Sequence, residues 1–254
     1  MQFWKIPFAG LHFREVACWM RVLGLPLLRC AGLLGLHFTC FHGGYFGYDE
    51  LEYTRLAADW WHWRYEHDLN LYAYRWAVVV PLAMWYGLLG INDFSNFVSS
   101  TSVLFIVFLP LANLIRSYPF GAFFCALLYV AVMPHHLMYI EKPMPDIPVE
   151  LGFLLMITGW AASPDRPRPW LAAGMFVLGV VLCFLAKETF LIFYLVFVVL
   201  LIVDLSKGRA SWFWAVVLGS LLVFSALYFG GFYVLQGDAL ARVRAIFHER
   251  FVGA

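Results

Sequence analysis

An all-α bundle of membrane-crossing helices is the fold class this sequence predicts, and three observations predict it. Of 254 residues, 63% are hydrophobic and only 13% charged, whereas soluble domains carry about 25% charged residues. Apolar runs near the length that crosses a bilayer, about 17–25 residues, recur along the chain. The basic residues collect in alternate connections between those runs, as expected of cytoplasmic loops. A formal net charge of +1 gives no electrostatic footprint for nucleic acid. The five cysteines, Cys18, Cys30, Cys40, Cys125 and Cys183, stand singly with no CxxC spacing and read as buried thiols.

The first apolar run, 23–41, follows Lys5, Arg14 and Arg21. No small-residue cleavage site follows it, so it is expected to stay as an anchor. Further spans are predicted at 97–115, 120–138, 147–162, 170–186, 190–205 and 212–235. The stretch "RWAVVVPLAMWYGLLG" from Arg75 is apolar but short, and Pro81 interrupts it. If it crossed the membrane, the loop at Asp49 and the loop "HHLMYIEKPMPD" would lie on opposite sides. If it lies in the interface, both loops share a side, and the opposite side receives the N-terminus, Arg116, Arg166, Arg168, Lys207 and Arg209. That distribution obeys the positive-inside rule. The expectation is therefore about seven spans, a cytoplasmic N-terminus and a long outer loop over 42–90. Arg29, inside the first run, has no assigned partner. The tail "ALARVRAIFHERFVGA" is basic and amphipathic, which suits an outer interfacial helix.

Two readings compete at "YDELEYTRLAADWWHWRY". In the structural one, Asp49 is an N-cap and Glu52 reaches back to complete a capping box. The helix that follows then lies in the interface with Leu51, Leu56, Trp60 and Trp63 near one face. In the functional one, clustered carboxylates raise one another's pKa and suit a base, with Asp49 foremost and Glu50 beside it. Tyr53 then belongs to an aromatic surface that can stack on a sugar. "EKPMPDIP" repeats the ambiguity. Asp146 and Pro148 make a helix start, yet the shared side places Asp146 with Asp49, and Glu141 and Lys142 are expected to pair. In "LAKETFLIF", Lys187 and Glu188 interrupt two apolar runs. They either snorkel to the interface or face a cavity, where Lys187 and Arg75 suit a lipid phosphate.

Asp59, His62 and Glu66 at helical spacing, with His67, and His135 and His136 near Asp146, raise a zinc reading, but no HExxH or comparable signature is present. No cofactor is assigned, and a divalent ion assisting a donor phosphate stays open.

The order "YDELEYTRLA", "YRWAVVVPLAMWYGLLGINDFSN", "MPDIPVELGFLLMI", "LAKETFLIF" resembles the N-terminal membrane module of GT-C superfamily glycosyltransferases, of the protein O-mannosyltransferase and aminoarabinose-transferase kind. The resemblance covers about 23–205. It implies transfer of a sugar from a polyprenyl-phosphate donor to a lipid, glycan or protein acceptor at the outer face of a bacterial inner membrane, with inversion. It implies two catalytic carboxylates, Asp49 as the base and Asp146 as the second-loop residue that positions the acceptor or helps hold a metal. Glu50, Tyr53, Arg75, Lys187 and Glu188 would bind substrate. Such enzymes carry further spans, so the chain is expected to be a C-terminally shortened member. The alternative is a non-catalytic binder or transporter of lipid-linked sugar. A transporter built from paired, broken-helix halves finds no such halving in this sequence.

Overall fold

The computed structural model describes residues 32, 35–36, 38–40, 47–64, 70–115, 139, 142–162, 169–188, 191–208 and 211–251. All elements among the described residues are helical. In chain order they are α1 (Tyr48–Trp61), a 3-10 turn (Leu71–Tyr74), α2 (Trp76–Leu89), α3 (Asp93–Ile115), α4 (Asp146–Ala162), α5 (Pro169–Ala186), α6 (Leu191–Ser206), α7 (Ser211–Gln236) and α8 (Ala241–Phe251). Helices thus occupy five of the expected spans with ends that agree closely. The run 120–138 lies outside the described residues, as does most of 23–41. One helix among the described residues, Trp212–Gln236, is long and apolar enough to cross a membrane, and Trp76–Leu89, Trp170–Ala186 and Tyr194–Ser206 are shorter apolar helices.

Contacts fix the direction of the helices. A Cβ on Gly159 would meet the Ala172 carbonyl at 2.5 Å, and one on Gly152 would meet Cys183 Sγ at 2.5 Å. At the start of α4, Asp146 meets Lys187, just past the end of α5. So α4 and α5 run antiparallel, and at Gly152 and Gly179 their backbones approach too closely for any side chain. Small residues at a crossing permit that approach, and such packing drives helix association in lipid. At the end of α6, Asp204 accepts from the indoles of Trp160 on α4 and Trp214 on α7. Helix α7 then returns, placing Tyr228 and Phe232 against Trp76. The four helices α4 to α7 therefore alternate in direction. Asp146, the α5–α6 turn and α8 lie at one end, called here the site end. Asp204 marks the far end.

Helix α1 runs beside α2 in the same direction, with Tyr53 at Arg75 and Trp61 at Gly87. Tyr53, Leu56 and Ala57 pack with Val78, Val79, Leu82, Ala83 and Tyr86 in one core cluster. The expected face is split. Leu56 turns into this core, whereas Leu51 and Trp63 are 52% and 92% exposed, and Glu50 and Glu52 take buried positions. The reason is the neighbouring charge described below, which satisfies carboxylates on the inner face. Pro81 does not interrupt α2, which continues through it, and only a water-sized cavity lies there, lined by Pro81, Ser99, Met144 and Ile147 among others. Helix α2 ends at Gly90, in the left-handed region at φ 82. Asn92 Oδ1 then caps α3 by accepting from the Ser95 amide at 2.9 Å.

Candidate functional site

The loop residues converge at the site end. In α1, Gly47 holds the N-cap position and contributes no side-chain cap. The expected capping box is therefore absent. Asp49 sits one residue into the helix and accepts a hydrogen bond from Tyr72 Oη at 2.7 Å. Glu52 turns to Arg55, 2.6 Å away, and to Asn70. These partners compete successfully with the free amides of the first turn, where Asp49 and Glu50 still favour the positive end of the helix dipole. The Arg55 hydrogen bond holds the Glu52 carboxyl below the ordinary glutamate value, against burial.

Arg75 is the centre of the network. Its side chain is 8% exposed, and it pairs with Glu188, 9% exposed, at 3.0 Å. Both Glu188 oxygens accept from Arg75. The guanidinium also donates to Tyr53 Oη and lies 4.8 Å from the Tyr72 ring centroid. Burial opposes charge on Arg75, but Tyr53 and Glu188 outweigh it and raise its pKa. Burial likewise pushes Glu188 up, and Arg75 outweighs this so that the carboxyl stays below its ordinary value. Burial raises the Tyr53 phenol far above its ordinary value, against the pull of Arg75, so it is protonated at neutral pH. Because Arg75 donates to Tyr53, the phenolic proton is left to a further acceptor.

Glu50 and Lys142 are both buried and stand 3.8 Å apart. The expected partner of Lys142, Glu141, lies outside the described residues. Lys142 also presents its carbonyl to Ser100 Oγ at 2.7 Å. That contact holds the loop before α4 against α3. Lys187 pairs with Asp146 at 3.2 Å, both about 30% exposed, at 31% and 29%. Asp49 is also part-exposed. Of the candidate carboxylates Asp49, Glu50, Asp146 and Glu188, Asp49 and Asp146 have the readier access to solvent, while Glu50, Tyr53, Arg75 and Glu188 form an enclosed floor.

All seven residues singled out from the sequence, Asp49, Glu50, Tyr53, Arg75, Asp146, Lys187 and Glu188, therefore lie at one end. Arg75 and Lys187 each already face a carboxylate, which qualifies the expectation that both neutralise a phosphate. Sequence reasoning missed Tyr72, Asn70 and Arg242. Asn70 and Tyr72 had a legible signal, a polar residue opening "NLYAY". Arg242 had none beyond its place in an amphipathic tail. Among the described residues no group of three His, Cys, Asp or Glu side chains is placed to hold a metal ion. Asp59 and His62 are described, whereas Glu66, His67, His135 and His136 lie outside the described residues. Cys183 is a buried free thiol, as expected, whereas Cys40 is free but exposed, which corrects the expectation of burial there.

No family model, curated protein or solved structure matches this chain.

Proposed function

We propose that this chain is the membrane module of a glycosyltransferase of the GT-C kind, taking a sugar from a polyprenyl-phosphate donor. One observation supports this reading above the others. Carboxylates, tyrosines and cations from four separate segments meet at one end of a helix bundle, and two of the carboxylates, Asp49 and Asp146, are part-exposed. Arg75 and Glu188 come together across 113 residues of sequence. A general base needs access to the acceptor proton and a fixed orientation. Asp49 has both, through partial exposure and the Tyr72 hydrogen bond. Asp146, held by Lys187, is suited to positioning the acceptor. Glu50, Tyr53, Arg75 and Glu188 supply a rigid, charge-balanced floor.

In this reading the chain crosses a bacterial inner membrane about seven times, with α1 and α2 in the interface and the site end facing out. The far end then carries Lys207 on the cytoplasmic side. Trp60 and Trp61 at the end of α1 and Trp63 just beyond it are exposed, as tryptophans at headgroup level would be. The acceptor is a lipid, glycan or protein hydroxyl or amine.

The test is transfer of labelled sugar from polyprenyl-phosphate donors to an acceptor panel, in nanodiscs, by wild type and Asp49→Asn. Wild-type turnover is expected, with at least a hundredfold loss in the variant and unchanged helicity. Turnover that survives in Asp49→Asn removes the base role and leaves Asp49 a partner of Tyr72 alone. A non-catalytic binder would hold the donor without turnover.

A further inference from the structure

We propose that Arg242 and Tyr228 form an anion subsite for the phosphate group of a membrane lipid, distinct from the Arg75–Glu188 pair. This deepens the glycosyltransferase reading and rests on it for the identity of the lipid.

Arg242 comes from α8, whose buried face Ala241, Arg242 and Ala245 packs at the site end. The residue is 4% exposed. Its guanidinium carbon stands 4.5 Å from the Phe184 ring centroid. Its Nη1 is fully enclosed and, like the Tyr228 hydroxyl, makes no well-aligned hydrogen bond among the described residues, although the guanidinium and that hydroxyl lie within reach of each other. Tyr228 therefore lies beside Arg242, and the charge of Arg242 is also felt by Glu188.

The charge balance is uneven. Glu188 gives both oxygens to Arg75, so the carboxylate on which Arg242 also acts is already engaged by another guanidinium. A buried cation with an unused donor is costly. An oxyanion that accepts from Nη1 and from Tyr228 together would remove that cost. Phosphate matches a guanidinium in shape and charge and has oxygens to spare for the phenol. The approach favours a lipid over a free anion. Helix α7, which carries Tyr228, is the helix long and apolar enough to span a membrane, and its Leu227, Val234 and Leu235 are 72%, 81% and 80% exposed. An amphiphile whose chain lies along that flank would bring its head to Arg242. Gly237, left-handed at φ 70, sets the turn that folds α8 back over this position.

The experiment measures binding to the purified full chain in nanodiscs of neutral lipid. Three probes are used: a polyprenyl monophosphate, phosphatidylglycerol and inorganic phosphate. Wild type is compared with Arg242→Gln, Arg242→Lys and Tyr228→Phe. The expected result is lipid-phosphate binding weakened roughly tenfold or more in Arg242→Gln, partly restored in Arg242→Lys, and weakened a few-fold in Tyr228→Phe. Arg242-dependent binding of the polyprenyl phosphate alone identifies the donor lipid. The same dependence on phosphatidylglycerol supports the subsite with a structural lipid as occupant. Arg242-dependent binding confined to inorganic phosphate overturns the lipid assignment. Equal binding of every probe by wild type and Arg242→Gln overturns the subsite. Tyr228→Phe decides the matter if Arg242→Gln does not fold, because losing one hydroxyl leaves the packing in place. The two ideas fail separately. Sugar transfer that depends on Asp49 but not on Arg242 leaves the enzyme and removes this subsite. Arg242-dependent lipid binding without any transfer does the reverse.

Discussion

The two ends of the bundle solve burial by different means. At the site end, α1, the loop before α4 and the α5–α6 turn enclose Glu50, Arg75 and Lys142, and each is answered by an opposite charge. At the far end Phe176, Phe197, Phe213 and Trp214 interlock edge to face, and a single carboxylate, Asp204, takes two indole N–H groups. Aromatic packing is favourable in itself. Buried ion pairs give little net stability and leave a costly orphan when one partner is lost. A chain with so few charges that buries paired ones at this end is spending stability there, as functional sites commonly do.

The largest expected effect bears on both ends at once. Gly179 on α5 faces the Gly152 carbonyl and the Met156 backbone of α4. Gly179→Leu forces the helices apart and is expected to cost more than the about 1–3 kcal/mol typical of overpacking, because rigid backbone rather than a flexible side chain stands in the way. Thermal unfolding in detergent measures it. A modest loss would mean that α4 and α5 slide freely, and the two ends would then not be held in fixed relation.

Next comes the core of the site end. Arg75→Ala or Glu188→Ala is expected to cost about 3–5 kcal/mol, because each leaves its partner buried and uncompensated. Replacing both with apolar residues of similar volume is expected to cost much less than the sum. Acid sharpens this test. The Glu188 carboxyl lies below its ordinary value of 4.5. Its contribution is therefore complete above about that pH, and it is lost as pH falls through the lower folded value. The stability gap between wild type and Glu188→Gln should shrink only in that acidic range. A gap that shrinks near neutral pH would place Glu188 in a different charge state from the one its geometry describes.

The helices and their ends were legible because apolar length and breakers mark them. Ser211–Gln236 was expected within a residue at each end, and the convergence of Asp49 and Asp146 followed from where the basic residues lie. What failed was local. The Asp49–Glu52 spacing is a genuine capping signal, yet Tyr72, Arg55 and Asn70 claimed those side chains. All three belong to tertiary or side-chain choices that spacing does not encode. The inner face of α1 was hidden for the same reason. Spacing groups Leu56 with Leu51 on one face, and only knowledge of Lys142 and Asn70 explains why Glu50 and Glu52 go inside. Arg242 was out of reach, since nothing near "ALARVRAIF" announces that one arginine of a surface-looking helix turns inward.

The smallest effect separates the two ends most cleanly. Trp214 Nε1 donates to Asp204 at 3.0 Å and Trp160 Nε1 at 2.9 Å. Trp214→Phe or Trp160→Phe removes one donor and is expected to cost about 1–2 kcal/mol each, near the value of a hydrogen bond to a charged group. With both removed, the carboxylate loses its two indole donors at a residue only 7% exposed. The double variant should therefore lose more than the sum of the singles, with sugar transfer unchanged because neither tryptophan is near the site end. Additive losses would mean that Asp204 reaches water when its indoles go. The far end would then be held by its aromatic rings alone, and the contrast with the charged end would be complete rather than partial.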